Sequence, residues 1–162
     1  MKKIFSLMVC LAVLLSGTGC SNGPSAQGDY FGFSKKDFIL IEESDTHGGF
    51  HGDGWYRLIL DCSENREQAL ENVSSWKKFP LSENLDLLLY GGEKDGVTYG
   101  YHLAEKAKIP GIKNGYYRFY DRHSESMDRS DDSELLDRYS FNFSLAVYDS
   151  DTDRLYYFEF DT

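Results

Sequence analysis

Apolar and polar positions alternate along this chain at two different periods. In "YRLILDC", residues 56–62, strand alternation puts Tyr56, Leu58, Leu60 and Cys62 on one side. "FILIE", 38–42, is a shorter run of the same kind, and a glycine-rich stretch separates the two. Together they predict a pair of strands. "NGYYRFYDR" predicts another, entered through the turn-forming dipeptide Asn114-Gly115. "KDGVTYGYHL" reads as a turn and a short strand. The C-terminal "YSFNFSLAVYDSDTDRLYYFEFDT" predicts a hairpin. Phe141, Phe143, Leu145 and Val147 share one face of it, and Tyr156, Phe158 and Phe160 supply the matching face of the returning strand.

Two segments carry the helical period instead. Ser63 is placed to cap a helix that opens at Glu64 and buries Ala69, Leu70, Val73 and Trp76 along one stripe. A second, shorter helix follows "FP". Ser82 is its cap, Leu85, Leu88 and Leu89 point inward, and Gly91-Gly92 ends it. The expected fold is therefore α+β: a single antiparallel sheet of five or six strands with two helices packed on one face. On this reading the 12 tyrosines and 11 phenylalanines mostly fill the sheet.

The N-terminus changes the picture of where the chain works. Lys2 and Lys3 precede an apolar run from Ile4 to Leu15, and small residues lead to Cys20. This is the layout of a secretory signal. The run is too short to span a bilayer as a helix, which takes roughly 20 residues. A cysteine at this place resembles the lipobox of bacterial lipoproteins, with one departure: Gly17 stands where such boxes usually carry leucine. The expected organisation is a signal over 1–19, a lipidated Cys20 with a flexible tether to residue 29, and one domain over 30–162.

Charge narrows the partners. The chain has 17 basic and 27 acidic residues, a net charge of −10, and loss of Lys2 and Lys3 with the signal makes it more acidic still. Such a surface repels phosphate backbones, so no nucleic acid is expected. Attachment to a membrane is expected through the lipid anchor, with a protein or small ligand as the remaining partner. Cys10 leaves with the signal and Cys20 carries the lipid, so Cys62 has no partner and reads as a small buried strand residue.

The stretch with most chemistry in it is "SDTHGGFHGDG", 44–54. Ser44 to Gly48 resembles the first metal-binding motif of the calcineurin-like metallophosphoesterases, which implies Asp45 and His47 as ligands of a two-metal centre that activates water. The later motifs of that family do not follow: no Gly-Asn-His occurs, and neither His102 nor His123 follows a glycine. Asp45, His47, His51 and Asp53 remain candidates for a single metal, but ligands on a glycine loop specify no geometry. The competing reading is a structural hairpin loop whose glycines matter more than its histidines.

Two other runs carry less. "DSDTDR", 149–154, lacks the glycine and glutamate an EF-hand requires and reads as a hairpin turn. Asp121, His123 and Ser124 stand side by side in a run that continues as an acidic, solvated loop, and adjacency alone makes no triad.

Across most of the mature chain, "DTHGGFHGDG", "FPLSENLDLLLYG" and the C-terminal hairpin resemble a family of small bacterial lipoproteins and secreted proteins with no assigned activity. The resemblance implies location and fold class, and no cofactor. The expected function is a membrane-anchored extracytoplasmic binding or interaction domain. Two alternatives stand beside it: a small metal-dependent hydrolase using the 45–53 loop, and an immunity-like protein that meets a partner through its acidic surface.

Overall fold

The computed structural model describes residues 29–48 and 52–162. The expected signal, Cys20, the tether up to Gly28, and His51 lie outside them. In chain order the elements are β1 (Ile39–Asp45), β2 (Gly54–Asp61), α1 (Arg66–Asn72), β3 (Lys77–Lys78), α2 (Glu83–Tyr90), β4 (Gly92–Lys94), β5 (Val97–Tyr99), α3 (Leu103–Ala107), β6 (Gly115–Asp121), β7 (Asn142–Asp149) and β8 (Arg154–Asp161). Six strands form one antiparallel sheet in the order β1-β2-β8-β7-β6-β3, and β4 and β5 form a separate small hairpin.

The C-terminal hairpin has the expected register: Phe143 faces Phe160 and Leu145 faces Phe158. Its side chains are divided between two cores. Phe143, Leu145, Val147, Tyr156, Phe158 and Phe160 join one cluster, and Ala146, Tyr148, Leu155 and Tyr157 join the other. Both faces of the strands are therefore buried, which is why the sequence there is almost continuously apolar. The turn between them closes on its own acids. Asp149 accepts hydrogen bonds from the Asp151 amide (3.0 Å) and the Thr152 hydroxyl (2.7 Å), while Asp153 accepts from Tyr148 Oη (2.8 Å) and pairs with Arg66.

The helices are arranged differently from expectation. α1 buries Ala69, followed by Val73 and Trp76, on the face that carries Leu58 and Leu60. α2 buries Leu85, Leu88 and Leu89 on the opposite face, beside Leu103, Ala104 and Ala107 of α3. The two expected helices thus lie on opposite sides, and the second helix on the α2 face is α3, which the sequence did not announce. The reason is that the C-terminal strands present apolar side chains to both sides, so each side needs a cover. Over the α1 face the cover is completed by Tyr30, Phe31, Phe33 and Phe38, all buried.

Two local expectations are also corrected. Ser63 opens a short 3-10 turn, its amide donating to the Asp61 carboxylate (2.9 Å), and makes no side-chain cap; α1 starts at Arg66. "KDGVTYGYHL" holds the expected turn, at Asp95-Gly96, and the expected short strand, β5, and then the start of α3. The acidic loop after His123 is solvated only in part. Its Asp132 is buried against the start of α2, where the Ser82 hydroxyl donates to its carboxylate and Asn84 donates to its carbonyl (2.8 Å). An acid fits there because a helix N-terminus favours negative charge.

Candidate functional site

The β1–β2 loop is rooted by three consecutive residues. The Asp45 carboxylate accepts the His47 amide (2.8 Å), which bends the chain out of β1. The Thr46 amide donates to the Trp55 carbonyl (2.9 Å) and the Trp55 amide donates to Thr46 Oγ1 (2.9 Å), extending the ladder by one side-chain step. His47 then lies between two carboxylates: Nδ1 is 2.7 Å from Asp45 Oδ1 and Nε2 is 2.9 Å from Asp161 Oδ2. Gly54 lets the return strand approach, since a Cβ on it would sit 2.8 Å from His47 N and Cα.

Asp161 sits at the end of β8 and gathers the neighbourhood. Arg122 donates to the same Oδ2 (2.8 Å) and to the Phe143 carbonyl (3.0 Å), and the Asn142 amide nitrogen can meet Oδ1 at 2.9 Å. Two further hydrogen-bonded groups are carried by the same sheet. Tyr157 Oη and Ser144 Oγ donate to Glu159, while Tyr56 Oη meets Tyr30 Oη (3.0 Å) and donates to Glu43 (2.6 Å). Burial first, then these acceptors, pushes the Tyr56 phenol far up, and burial chiefly raises Tyr157. Such groups hold their protons and serve as fixed donors.

The structure therefore brings Asp45 and His47 together and adds Asp161 and Arg122, which the sequence could not place. Asp53 is exposed and makes no hydrogen bond or ion pair with them, and His51 is outside the described residues. Among the described residues no three His, Cys, Asp or Glu side chains converge so as to hold an ion. Both ring nitrogens of His47 already face carboxylates, so "DTH" works as a clamp between the loop and the C-terminal strand. His47 is therefore neither a free ligand nor an open loop side chain.

The remaining candidates are equally engaged. Asp121 pairs with Arg138 and accepts the His123 amide (2.9 Å), whereas His123 Nε2 faces Ser140 (3.4 Å); Ser124 is not part of the group. Cys62 is fully buried and its thiol is pushed up to about 12 by desolvation, which removes it as a nucleophile.

What the described residues leave open is a strand edge. β1 pairs with β2 on one side only, and Ile39, Leu40 and Ile41 are 45, 46 and 50% exposed. A register shift between Leu40 and Glu42 bulges this edge at Ile41. The loop before β7 also exposes Met127 and Tyr139 completely, beside Asp128, Asp131 and Glu134. No protein-family profile matches the chain, and no curated protein or solved structure matches it significantly.

Proposed function

We propose that this chain is a lipid-anchored, extracytoplasmic binding domain that engages a protein partner along the outer edge of β1, and that it is kin to the small bacterial lipoproteins its segments resemble. The observation that carries the binding reading is the row of three exposed aliphatic side chains, Ile39, Leu40 and Ile41, on an unpaired edge. An open edge offers unpaired amides and carbonyls to an extended segment, and exposed aliphatics add apolar area to that contact. The signal-like N-terminus and Cys20 support the anchor. The hydrolase alternative loses support because His47 has both nitrogens committed to carboxylates.

The acidic-surface alternative keeps one observation in its favour. Met127 and Tyr139 stand in solvent within an acidic loop, as contact residues for a basic partner would.

A photoreactive amino acid placed at Ile41 in cells tests the edge against a control at Val97, which is 53% exposed on the small hairpin. The expected result is one discrete adduct from position 41 and none from 97. Equal labelling at both, or no adduct at 41, removes the edge reading, and an adduct from position 139 instead favours the acidic loop. Cys20→Ser in the same cells is expected to move the protein out of the membrane fraction and to abolish fatty-acid labelling. Unchanged sedimentation of that variant, with no label on the parent, rejects the anchor.

A further inference from the structure

At the other end of the sheet, β3 pairs with only two residues of β6, Tyr116 and Tyr117. Farther along β6, the Asp121 amide donates to the Arg129 carbonyl (2.7 Å). Residues 115, 117, 119 and 121 turn their backbone groups to this outer side, as the Gly115 carbonyl (to Phe79 N, 3.1 Å) and the Asp121 amide demonstrate. Between the two paired stretches the outward N–H and C=O of Phe119 have no strand opposite them. A cleft of 300 Å³ opens there, lined by Trp76, Lys77, Arg118, Phe119 and Ser130 among others. That volume is at the lower end for a small-ligand site.

Two further features of the cleft ask for a ligand. Trp76 is 6% exposed and its indole N–H has no acceptor among the described residues. A buried donor without a partner is costly and uncommon. The second is charge. In a chain of net charge −10, Lys77, Lys78, Arg118 and Arg129 cluster around this edge, and none is in an ion pair among the described residues. The Arg118 guanidinium lies on the Phe31 ring (5.1 Å), Arg129 on Tyr120 (5.4 Å), and Lys77 reaches the Ser130 carbonyl (3.2 Å). Asp128 and Asp131 feel Lys77, but their carboxylates are taken by Ser130 and Ser133.

We propose that this cleft binds the carboxyl terminus of a peptide, its last amide pairing with Phe119 and its carboxylate taking the Trp76 N–H and the Arg118 charge. A terminal residue is the chemistry that fits. It brings a backbone donor and acceptor for a one-residue gap in the strand edge, and an anion where cations stand unpaired. The site is at the opposite edge from β1, so the two readings stand or fall separately.

The test uses the 15N-labelled protein and three probes: N-acetyl-Ala-Ala with a free carboxylate, the same peptide amidated, and acetate. The free acid is expected to shift the Trp76 indole and Phe119 amide resonances saturably, with amidated peptide and acetate at least about tenfold weaker. Arg118→Ala, an exposed position, should weaken the free acid by about tenfold, while Lys36→Ala leaves it unchanged. Trp76→Phe keeps the aromatic contacts to Phe31 and Phe33 while removing the donor. It should weaken binding without lowering Tm. Absence of shifts at these two resonances, or an equal response to the amidated peptide or to acetate, overturns the proposal.

Discussion

His47 shows how one side chain acquires its role from residues far along the chain. Its ring joins the loop to Asp161, 114 positions away, and removing it takes one partner from each of two carboxylates, Asp161 keeping Arg122 and Asp45 the amide of residue 47. His47→Ala is expected to lower stability by about 1 kcal/mol, read from urea unfolding at neutral pH. A change below the error of the fit would mean that the ring is not a clamp. The glycines nearby separate by the same reasoning. A Cβ at Gly48 has nothing closer than 3.9 Å, whereas one at Gly54 meets the His47 backbone. Gly54→Ala should therefore cost more than about 2 kcal/mol and Gly48→Ala less than about 0.5. Glu43 gives a pH dependence. The Lys35 ammonium, then the Tyr56 hydroxyl, holds its carboxyl below the ordinary 4.5, and Glu43 in turn raises Lys35 above 10.5. A depressed carboxyl contributes stability above its unfolded value and loses it as pH falls through the folded one; a raised amine contributes below 10.5 and loses it as pH rises. The Tm difference between the parent and Glu43→Gln should thus be flat between about pH 5 and 10 and shrink on both sides. A difference that grows in acid would reverse the assignment.

The C-terminal hairpin was the most legible element, because two long apolar runs flank an acidic turn of only four residues. Its core positions carry the corresponding prediction: Phe143→Ala or Phe158→Ala should each cost about 3–5 kcal/mol in chemical denaturation, since both are essentially unexposed. A loss under about 1 kcal/mol would contradict the register. The stripe of α2 was legible because it is local and periodic, whereas of the stripe expected for α1 only Ala69 is buried within the helix, Leu70 being half-buried and Val73 and Trp76 lying past its end. The face each helix covers was not, because periodicity says which side of a helix is apolar and nothing about which side of a sheet receives it. α3 is five residues long and starts from a left-handed His102, too short for any stripe to emerge. The clamp at Asp161 and the cleft at Phe119 share this invisibility. Both join residues tens to a hundred positions apart, and only the strand order brings them together.

Taken whole, the molecule is a sheet closed over by aromatic residues on both faces, with its one described thiol at the bottom of a core. In a chain beginning at Ser21, Cys62 should resist a thiol reagent at pH 8 and react fully once urea unfolds the protein, so labelling reports unfolding. Rapid labelling in native buffer would place the thiol at the surface. The order β1-β2-β8-β7-β6-β3 has one more consequence. β8 is the last strand of the chain, yet it lies between β2 and β7 and is the sole link between the two halves of the sheet. During synthesis the first half has no sheet to join until Arg154–Asp161 has been made. Closure of the whole sheet is therefore a late event, completed only when this one strand is inserted between its two partners. A chain stopped at Asp153 should accordingly show no cooperative unfolding transition at all, and a sharp transition in it would mean that the two halves fold without their bridge.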